Sequence, residues 1–288
     1  MPTKQYVDLH IHSNYSDGAL SPGELVTLAA DKGLQVMAIA DHDSVSGIAA
    51  GTLAAKQHGI TLIAAVELSV QFKEWQDIHL LGYGINYRDS SFLVKLKEFR
   101  ERRGRRNIEI LERVNRQLAI EERAAIHHDE VTGHALDAIG RPHIARALLG
   151  RRYVSSVEEA FRRYLSPCNV PKLYWPIADA IQEIARIGGL SFLAHPTSIT
   201  TDRQQLRQII LELRGIGLDG IEVYNNMAQP EEMAFLRRLA LKFGLQVSGG
   251  SDFHGIEEGV EMGKGRGGMR FSADLLAPLI DILTQRSA

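Results

Sequence analysis

The stretch that most constrains this chain lies near its start, at residues 8–18, and reads DLHIHSNYSDG. Its apolar residues alternate with polar ones, which predicts a buried strand whose alternate side chains share a face. His10 and His12 therefore point the same way, and two imidazoles on one rigid face can bind a metal ion. Asp17, in a turn closed by Gly18, would add an oxygen ligand. Because short motifs also arise by chance, two ordinary histidines and a turn aspartate explain this stretch alone equally well.

Length and composition set the outer bounds. A chain of 288 residues with 44% hydrophobic residues can bury a large core, as one barrel-sized domain or as a domain with an insertion. The formal net charge of −2 favours neither a nucleic-acid coat nor an acidic tail, and Cys168 is the single cysteine. No signal-like start or membrane-length apolar run is present in the sequence. We expect a cytoplasmic protein with no membrane association and no obligate protein partner.

Short apolar runs alternate with helical segments in two parts of the chain. The first part holds strand-like runs at 36–40, 60–66 and 78–82, and the second at 190–194, 220–224 and 245–248. Near-continuous apolar strands alternating with helices are typical of a parallel sheet covered on both faces. The pattern predicts an α/β fold of this kind.

The alternation of predicted strands and helices is interrupted between residues 98 and 167. This segment contains 14 Arg, no Lys and 11 Asp or Glu, a net charge of +3, against −5 for the rest of the chain. The pattern predicts helices at about 92–118, 142–149 and 157–165. We therefore expect a barrel in two parts, 1–97 and 168–288, with a small helical insertion at 98–167 that caps the substrate site.

Side chains that bind metals stand at the predicted strand ends in both barrel parts. Parallel barrels build their sites at these ends from residues distant in sequence. A lone zinc ion takes three or four ligands, so nine suit a cluster of two or three ions with a bridging carboxylate. Ligation by nitrogen and oxygen alone fits Mn²⁺ first, with Fe²⁺ or Zn²⁺ as alternatives. The nine residues are His10, His12, Asp17, His42, Glu67, His79, His195, Asp252 and His254.

These motifs, with DHD at 41–43, AHP at 194–196 and GSDFH at 250–254, resemble the polymerase and histidinol phosphatase (PHP) family. The resemblance covers roughly residues 1–97 and 172–255. It implies a distorted (β/α)7 TIM-like barrel and a trinuclear metal site, with three Mn²⁺ ions as our expectation. By resemblance, the first ion is held by His10, His12, Glu67 and Asp252. Glu67 bridges to a second ion held with His79 and His195, and the third is held by Asp17, His42 and His254.

The insertion resembles that of the branch containing RNase AM and the 3′,5′-nucleoside bisphosphate phosphatases. By that similarity Arg103, Arg106, Arg141 and His143 would face the substrate phosphates. Guanidinium forks bind phosphate oxygens in pairs and keep their charge. Neighbouring arginines make the alignment uncertain by one or two places, and a merely solvated Arg-rich helix face is the alternative.

The resemblance implies a metal-dependent phosphoesterase acting on the 5′-phosphate ester of nucleotides such as AMP or 3′,5′-bisphosphonucleosides. It also implies 5′–3′ exoribonuclease action on short 5′-phosphorylated RNA. A metal-bridging hydroxide would attack phosphorus, with His195, His254 or a metal-bound water as the general acid. Alternatives are a histidinol-phosphate-type phosphatase, an amidohydrolase-like barrel and a non-catalytic PHP-like module. The last is disfavoured because it would tolerate loss of ligands, and the set here is complete.

Overall fold

The computed structural model of the protein describes residues 5–132 and 137–287. Its strands are β1 Tyr6–Ile11, β2 Leu34–Ile39, β3 Thr61–Phe72, β4 Trp75–Tyr83, β5 Trp175–Pro176, β6 Leu190–Leu193, β7 Gly220–Tyr224 and β8 Gln246–Gly249. Its α-helices are α1 Pro22–Asp31, α2 Ile48–His58, α3 Ser90–Ile120, α4 His128–Thr132, α5 Arg141–Gly150, α6 Val157–Ala160, α7 Ile177–Arg186, α8 Arg203–Ile216, α9 Pro230–Phe243 and α10 Ala273–Ser287.

The strands form one sheet in the order β1-β2-β3-β4-β6-β7-β8, with the short β5 paired to β3. All pairs are parallel except those of β4, which runs antiparallel to β3 and β6. The reversal follows from the chain itself, because only Lys73 and Glu74 separate β3 from β4 and so short a connection makes a hairpin. The predicted α/β class is confirmed.

The hairpin corrects two details of the prediction. Glu67 was expected at the end of its strand, but β3 continues to Phe72 because this extension pairs with β4. His79 likewise lies in the middle of β4, where it pairs with Ser69. Both side chains still reach the site, although neither stands at a strand end.

The two outer strands of the sheet order meet near the site. The backbone N–H of Asp252 donates to the carbonyl of His10 (2.9 Å), and the N–H of His12 donates to the carbonyl of Phe253 (2.9 Å). The segment that follows β8 therefore pairs with β1. This arrangement is compatible with the predicted distorted barrel.

The apolar residues pack in separate clusters. The largest lies between the sheet and its helices and includes Phe92 and Leu96 from the start of α3. A second cluster, built from residues 110–170, includes Ile110 and Val114 from the second half of the same helix. One continuous 31-residue helix thus serves both clusters. The predicted boundary at residue 97/98 falls inside it, and the division into 1–97, 98–167 and 168–288 stays a prediction.

Within the described residues, no helix has both the length and the apolar character that a bilayer-spanning segment requires.

Candidate metal centre

The nine predicted ligands converge from seven places in the fold. Strand β1 contributes His10 and His12, and the turn after it contributes Asp17. The loop after β2, the strands β3 and β4, and the turns after β6 and β8 contribute the remainder. Most of the nine are buried, and His10, His12 and Glu67 have no exposed surface. The six predicted ligands that follow Asp17 in the chain are His42, Glu67, His79, His195, Asp252 and His254.

Ligand atoms of the first group come from β1 and from the segment after β8. His10 Nε2 and His12 Nε2 lie 3.1 Å apart. Asp252 Oδ1 is 3.4 Å from the former and 3.1 Å from the latter. With Glu67, these residues form a set whose ligand atoms all lie within 4.8 Å of one another. One cation can be bound by all four.

Glu67 is central to the second group. Its Oε1 lies 3.1 Å from both His79 Nδ1 and His195 Nε2, and its Oε2 lies 2.9 Å from His42 Nδ1. His42, Glu67 and His79 form the second set of mutually close ligand atoms. Because Glu67 also belongs to the first set, its carboxylate is placed to bridge two cations.

The third group surrounds Asp17. His254 Nε2 is 3.3 Å from Asp17 Oδ1, and His42 Nε2 is 3.7 Å from Asp17 Oδ2. His12 Nδ1 lies 3.8 Å from Oδ1. Together these four residues form the third set of mutually close ligand atoms. His12 and His42 therefore each belong to two sets, and the allocation of individual imidazoles to individual ions stays a prediction.

Several buried polar atoms in the cluster suit a bound cation. Asp17 Oδ1, His42 Nδ1 and Glu67 Oε2 are buried and have no hydrogen-bond partner among the described residues. His42 Nδ1 and Glu67 Oε2 are 2.9 Å apart, yet they are not aligned as a hydrogen-bonded pair. Two lone pairs that meet without a shared proton are the arrangement of two ligands of one ion. The donor set therefore fits divalent metal ions.

The charges of the cluster favour a cation as well. Burial alone would lower the pKa of His12, but its hydrogen bonds to Asp252 and Glu67 raise that pKa to about 10. Burial would raise the pKa of Glu67, yet the charge of neighbouring imidazoles, that of His79 first, holds it well below its usual range. The carboxylates are thus ionised, and they demand positive charge among the imidazoles. Burial lowers the pKa of His42 to about 4, which keeps this imidazole neutral and able to bind a metal ion.

Buried carboxylates hold the segments that carry the ligands. Asp41 accepts hydrogen bonds from the backbone N–H and the hydroxyl of Ser13 and from the hydroxyl of Ser16, whose Oγ is 3.4 Å from His12 Nδ1. Asp8 accepts from the backbone N–H and the hydroxyl of Ser251. Such hydrogen bonds orient the segments from which His10, His12 and Asp252 project.

In the sequence, Glu222 and Asn225 stand at the end of a predicted strand, where side chains can face the site, but nothing there assigns either a role. Glu222 lies in β7 between Ile221 and Val223, has no exposed surface, and contacts His10 and His195. A carboxylate flanked by apolar residues in a buried strand needs partners, and these two histidines supply them. Asn225, a second candidate from the same strand end, instead accepts hydrogen bonds from the backbone of Met227 and Ala228.

The predicted substrate residues fall into two places. Arg103 Nη1 lies 2.9 Å from Asp43 Oδ2, and Arg106 donates to Val170 and Asn169. These arginines line a cavity of about 150 Å³ beside the cluster. Its walls are Asp43, Ser69, Phe99, Arg102, Arg103, Arg106, Pro171, Lys172 and Leu173.

Arg141 and His143 lie outside that wall. Arg141 Nη2 is 3.2 Å from Asp77 Oδ2, on the hairpin strand β4. His143 is buried at the start of α5, and its Nδ1 accepts a hydrogen bond from the N–H of Gly140. Lys172 was missed because it stands alone, outside the arginine run. Its Nζ lies 3.0 Å from Asp77 Oδ1, so the carboxylate of Asp77 pairs with both Arg141 and Lys172.

The remaining histidines lie elsewhere. His58, His127 and His128 are exposed, in keeping with the simplest interpretation of them as surface residues, and His134 lies outside the described residues.

Buried imidazoles and carboxylates in three overlapping sets, mounted on a mostly parallel sheet, define a metal-dependent hydrolase. The chain belongs to the PHP family, since the PHP domain model matches residues 8–173. It is 36% identical to a 5′-3′ exoribonuclease of Haemophilus influenzae, over 91% of this chain and 94% of the relative. It is 33% identical to a 3′,5′-nucleoside bisphosphate phosphatase of Chromobacterium violaceum, over 88% of both.

A solved structure matches the fold over nearly the whole chain. An amidohydrolase from Chromobacterium violaceum with bound sulfate matches with a TM-score of 0.83 and 30% identity, over 98% of this chain and 96% of that chain. The predicted family and branch are confirmed. The protein is a metal-dependent phosphoesterase of the PHP family.

Proposed function

We propose that the enzyme hydrolyses the 5′-phosphate ester of nucleotides that carry a second phosphate, such as 3′,5′-bisphosphonucleosides. AMP and the 5′ end of short 5′-phosphorylated RNA are further substrates in this proposal. The observation that carries it is the arginine- and lysine-lined cavity beside the metal ligands. The names of the exoribonuclease and bisphosphate phosphatase relatives support it.

Two wall residues of the cavity are neighbours of predicted metal ligands. Its wall residue Asp43 follows the ligand His42, and its wall residue Ser69 pairs with the ligand His79 across the hairpin. The volume of about 150 Å³ is roughly five times the share of one water molecule in the liquid. This space is large enough for a phosphate group, and its arginine and lysine lining favours an anion. A substrate with its reacting phosphate at the metals would thus place a second phosphate here.

The cavity is electrostatically prepared for an anion. Arg102, Arg103, Arg106 and Lys172 line it together with the carboxylate of Asp43, and Lys172 also pairs with Asp77, which lies outside the wall. Burial lowers the pKa of Lys172, and the charge of the nearby Arg103 lowers it further. Like charges crowded in this way repel, and a phosphate would relieve the repulsion while gaining charge-assisted hydrogen bonds.

In the proposed reaction, the metal ions and the surrounding side chains have different roles. Divalent ions held by the nine predicted ligands, Mn²⁺ being our first choice, supply Lewis acidity and an activated water when bound. Residues of the insertion at 98–167 cover the site and orient the substrate. Arg103 and Lys172 hold the second phosphate, and Arg106 and Arg141 complete the positive surface around it. His195 or His254 would donate the proton to the leaving oxygen.

A substrate panel tests the proposal. Phosphate release would be measured with Mn²⁺ on AMP, 3′,5′-bisphosphoadenosine, histidinol phosphate and a 5′-phosphorylated oligoribonucleotide. We expect the highest kcat/KM on the bisphosphate and measurable activity on AMP and RNA. A preference for histidinol phosphate would replace the proposal with the small-molecule phosphatase. Activity on none of the four would refute the proposal.

A further inference from the structure

A buried glutamate that is not one of the predicted ligands contacts two of them at once. Glu222 Oε1 lies 2.9 Å from His10 Nδ1, and its Oε2 accepts a hydrogen bond from the backbone N–H of His195 at 2.8 Å. The side chains of Glu222 and His10 have no exposed surface. Because water cannot substitute for either contact, the orientation of His10 depends on this carboxylate.

The contact to His10 selects a tautomer. A carboxylate oxygen only accepts hydrogen bonds, so the proton of the neutral His10 imidazole belongs on Nδ1. The lone pair then lies on Nε2, which faces Glu67 and Asp252 at 3.4 Å each. Glu222 therefore points the ligating nitrogen of His10 at the first ligand group.

The contact to His195 fixes a backbone conformation. His195 has a φ of 26° and a ψ of 62°, in a region that residues with a side chain rarely adopt. Its N–H is held by Glu222, and this turn directs its Nε2 to within 3.1 Å of Glu67 Oε1. Glu222 thereby supports the second ligand group as well as the first.

We propose that Glu222 is a positioning residue that sets the ligand geometry of the two ion positions flanking Glu67. The inference rests on the metal centre of the proposed function. None of the described contacts of Glu222 involves Asp17, His42 or His254, the residues predicted for the third ion. Loss of Glu222 should weaken two ion positions and spare one.

Substitution by glutamine makes the effect directional. The backbone N–H of His195 can only donate, so the amide oxygen of Glu222→Gln must turn towards it. The amide NH₂ then faces His10 Nδ1, which must become an acceptor and move its proton to Nε2. That nitrogen is the predicted ligand atom, so this isosteric change replaces its lone pair with a proton.

The first experiment measures metal binding without any substrate. The full-length chain would be stripped and titrated with Mn²⁺, followed by elemental analysis and calorimetry. We expect Glu222→Gln to weaken Mn²⁺ binding about ten- to a hundredfold at two positions while one keeps its wild-type affinity. Glu183→Gln is the matched control. Glu183 of α7 is also a buried carboxylate, but it pairs with Lys95 of α3 and Arg186 of α7 and with none of the predicted ligands in the described contacts. Wild-type affinity at all positions in Glu222→Gln would overturn the proposal.

A second measurement does not depend on how the variant folds. Long-range ¹H–¹⁵N correlation spectra of the Zn²⁺-loaded wild-type protein report which nitrogen of His10 carries the proton. We expect the proton on Nδ1, and a proton on Nε2 would overturn the proposal. A wild-type chain that binds one ion or fewer would refute the metal centre itself. Normal wild-type binding with an insensitive Glu222→Gln variant would refute the role of Glu222 alone.

Discussion

At the scale of single residues, Glu67 differs from every other ligand in its number of partners. Its two oxygens lie within 3.4 Å of His10, His12, His42, His79 and His195. It also belongs to two of the three sets of close ligand atoms, whereas His79 belongs to one. A side chain shared by two cations is more costly to lose than one that serves a single cation.

We therefore predict that Glu67→Gln lowers the metal content by about two ions per chain and abolishes turnover. His79→Ala should lower the content by about one ion. The reason is that an amide keeps the shape but loses the negative charge that both cations require. Elemental analysis after Mn²⁺ reconstitution checks this. Equal metal loss in the two variants would contradict the bridging role.

The cavity residues give a second prediction. Arg103→Ala and Lys172→Ala should leave the metal content unchanged and lower kcat/KM on 3′,5′-bisphosphoadenosine roughly ten- to a hundredfold, about 1.5–3 kcal/mol. The loss on an aryl phosphate should be smaller, since that substrate has no second phosphate. Arg103→Lys should restore only part of the activity, because an ammonium lacks the planar fork.

Arg116 provides the control for these variants. It is exposed on α3, the helix that also carries Arg103, and it lies outside the cavity. Arg116→Ala should behave like the wild type on every substrate. Unchanged kinetics on the bisphosphate in both cavity variants would assign the insertion a structural role and favour the small-molecule phosphatase.

The residue scale also shows what a sequence can reveal. His10 and His12 were predictable, because spacing by two in an apolar strand fixes a shared face. Glu222 and Lys172 were not, because each stands alone and acquires its role from residues far away in the chain. A pattern exposes residues that share an element, while partners brought together by tertiary packing leave little trace locally.

At the scale of elements, helix α3 agrees with the helix predicted at about 92–118, and like that helix it crosses the change in composition at residue 98. Ser90–Ile120 forms one helix whose N-cap, Asp89, accepts from the backbone N–H of Phe92. The charge pattern marks a change of surface, whereas helix propagation depends on backbone continuity, which arginines favour. The same limit applies to β4, whose direction follows from a hairpin that no motif marked.

Gly104 in the middle of α3 supports a prediction about this element. A β-carbon at this position would meet nothing within 4 Å, and the backbone there is helical. Gly104→Ala should therefore raise the free energy of unfolding by about 0.5–1 kcal/mol, because alanine restricts the unfolded chain and favours the helix. Urea denaturation monitored by circular dichroism measures it. A lower stability would show that the helix needs freedom at this point.

At the scale of the whole molecule, the metal centre joins side chains that are far apart in the chain. The predicted ligands come from β1, β3, β4 and the turns after β1, β2, β6 and β8, and their buried carboxylates and imidazoles lie close together. Ions that bind only the folded chain stabilise it by mass action, by about 4 kcal/mol at a thousandfold excess over Kd for a single site. Bound metal should therefore raise the stability of the molecule as a whole.

We predict that removing the ions with a chelator lowers the unfolding temperature of the wild type by several degrees, and that adding Mn²⁺ restores it. The shift should be smaller for Glu67→Gln, which has fewer ions to lose. Differential scanning calorimetry at matched ionic strength checks both statements. An unfolding temperature that does not respond to metal would contradict the coupling of the centre to folding.

The pairing of β1 with the segment after β8 has a consequence for biosynthesis. His10 and His12 leave the ribosome early, whereas Asp252, which shares their ligand set, is made some 240 residues later. Contacts of such long range form late in folding, because the intervening chain must first be ordered. A nascent or truncated chain would thus carry imidazoles without a complete binding site. The chain can therefore bind its metal ions only after its last ligands have been synthesised. An unfinished copy cannot hydrolyse phosphate esters in the cell.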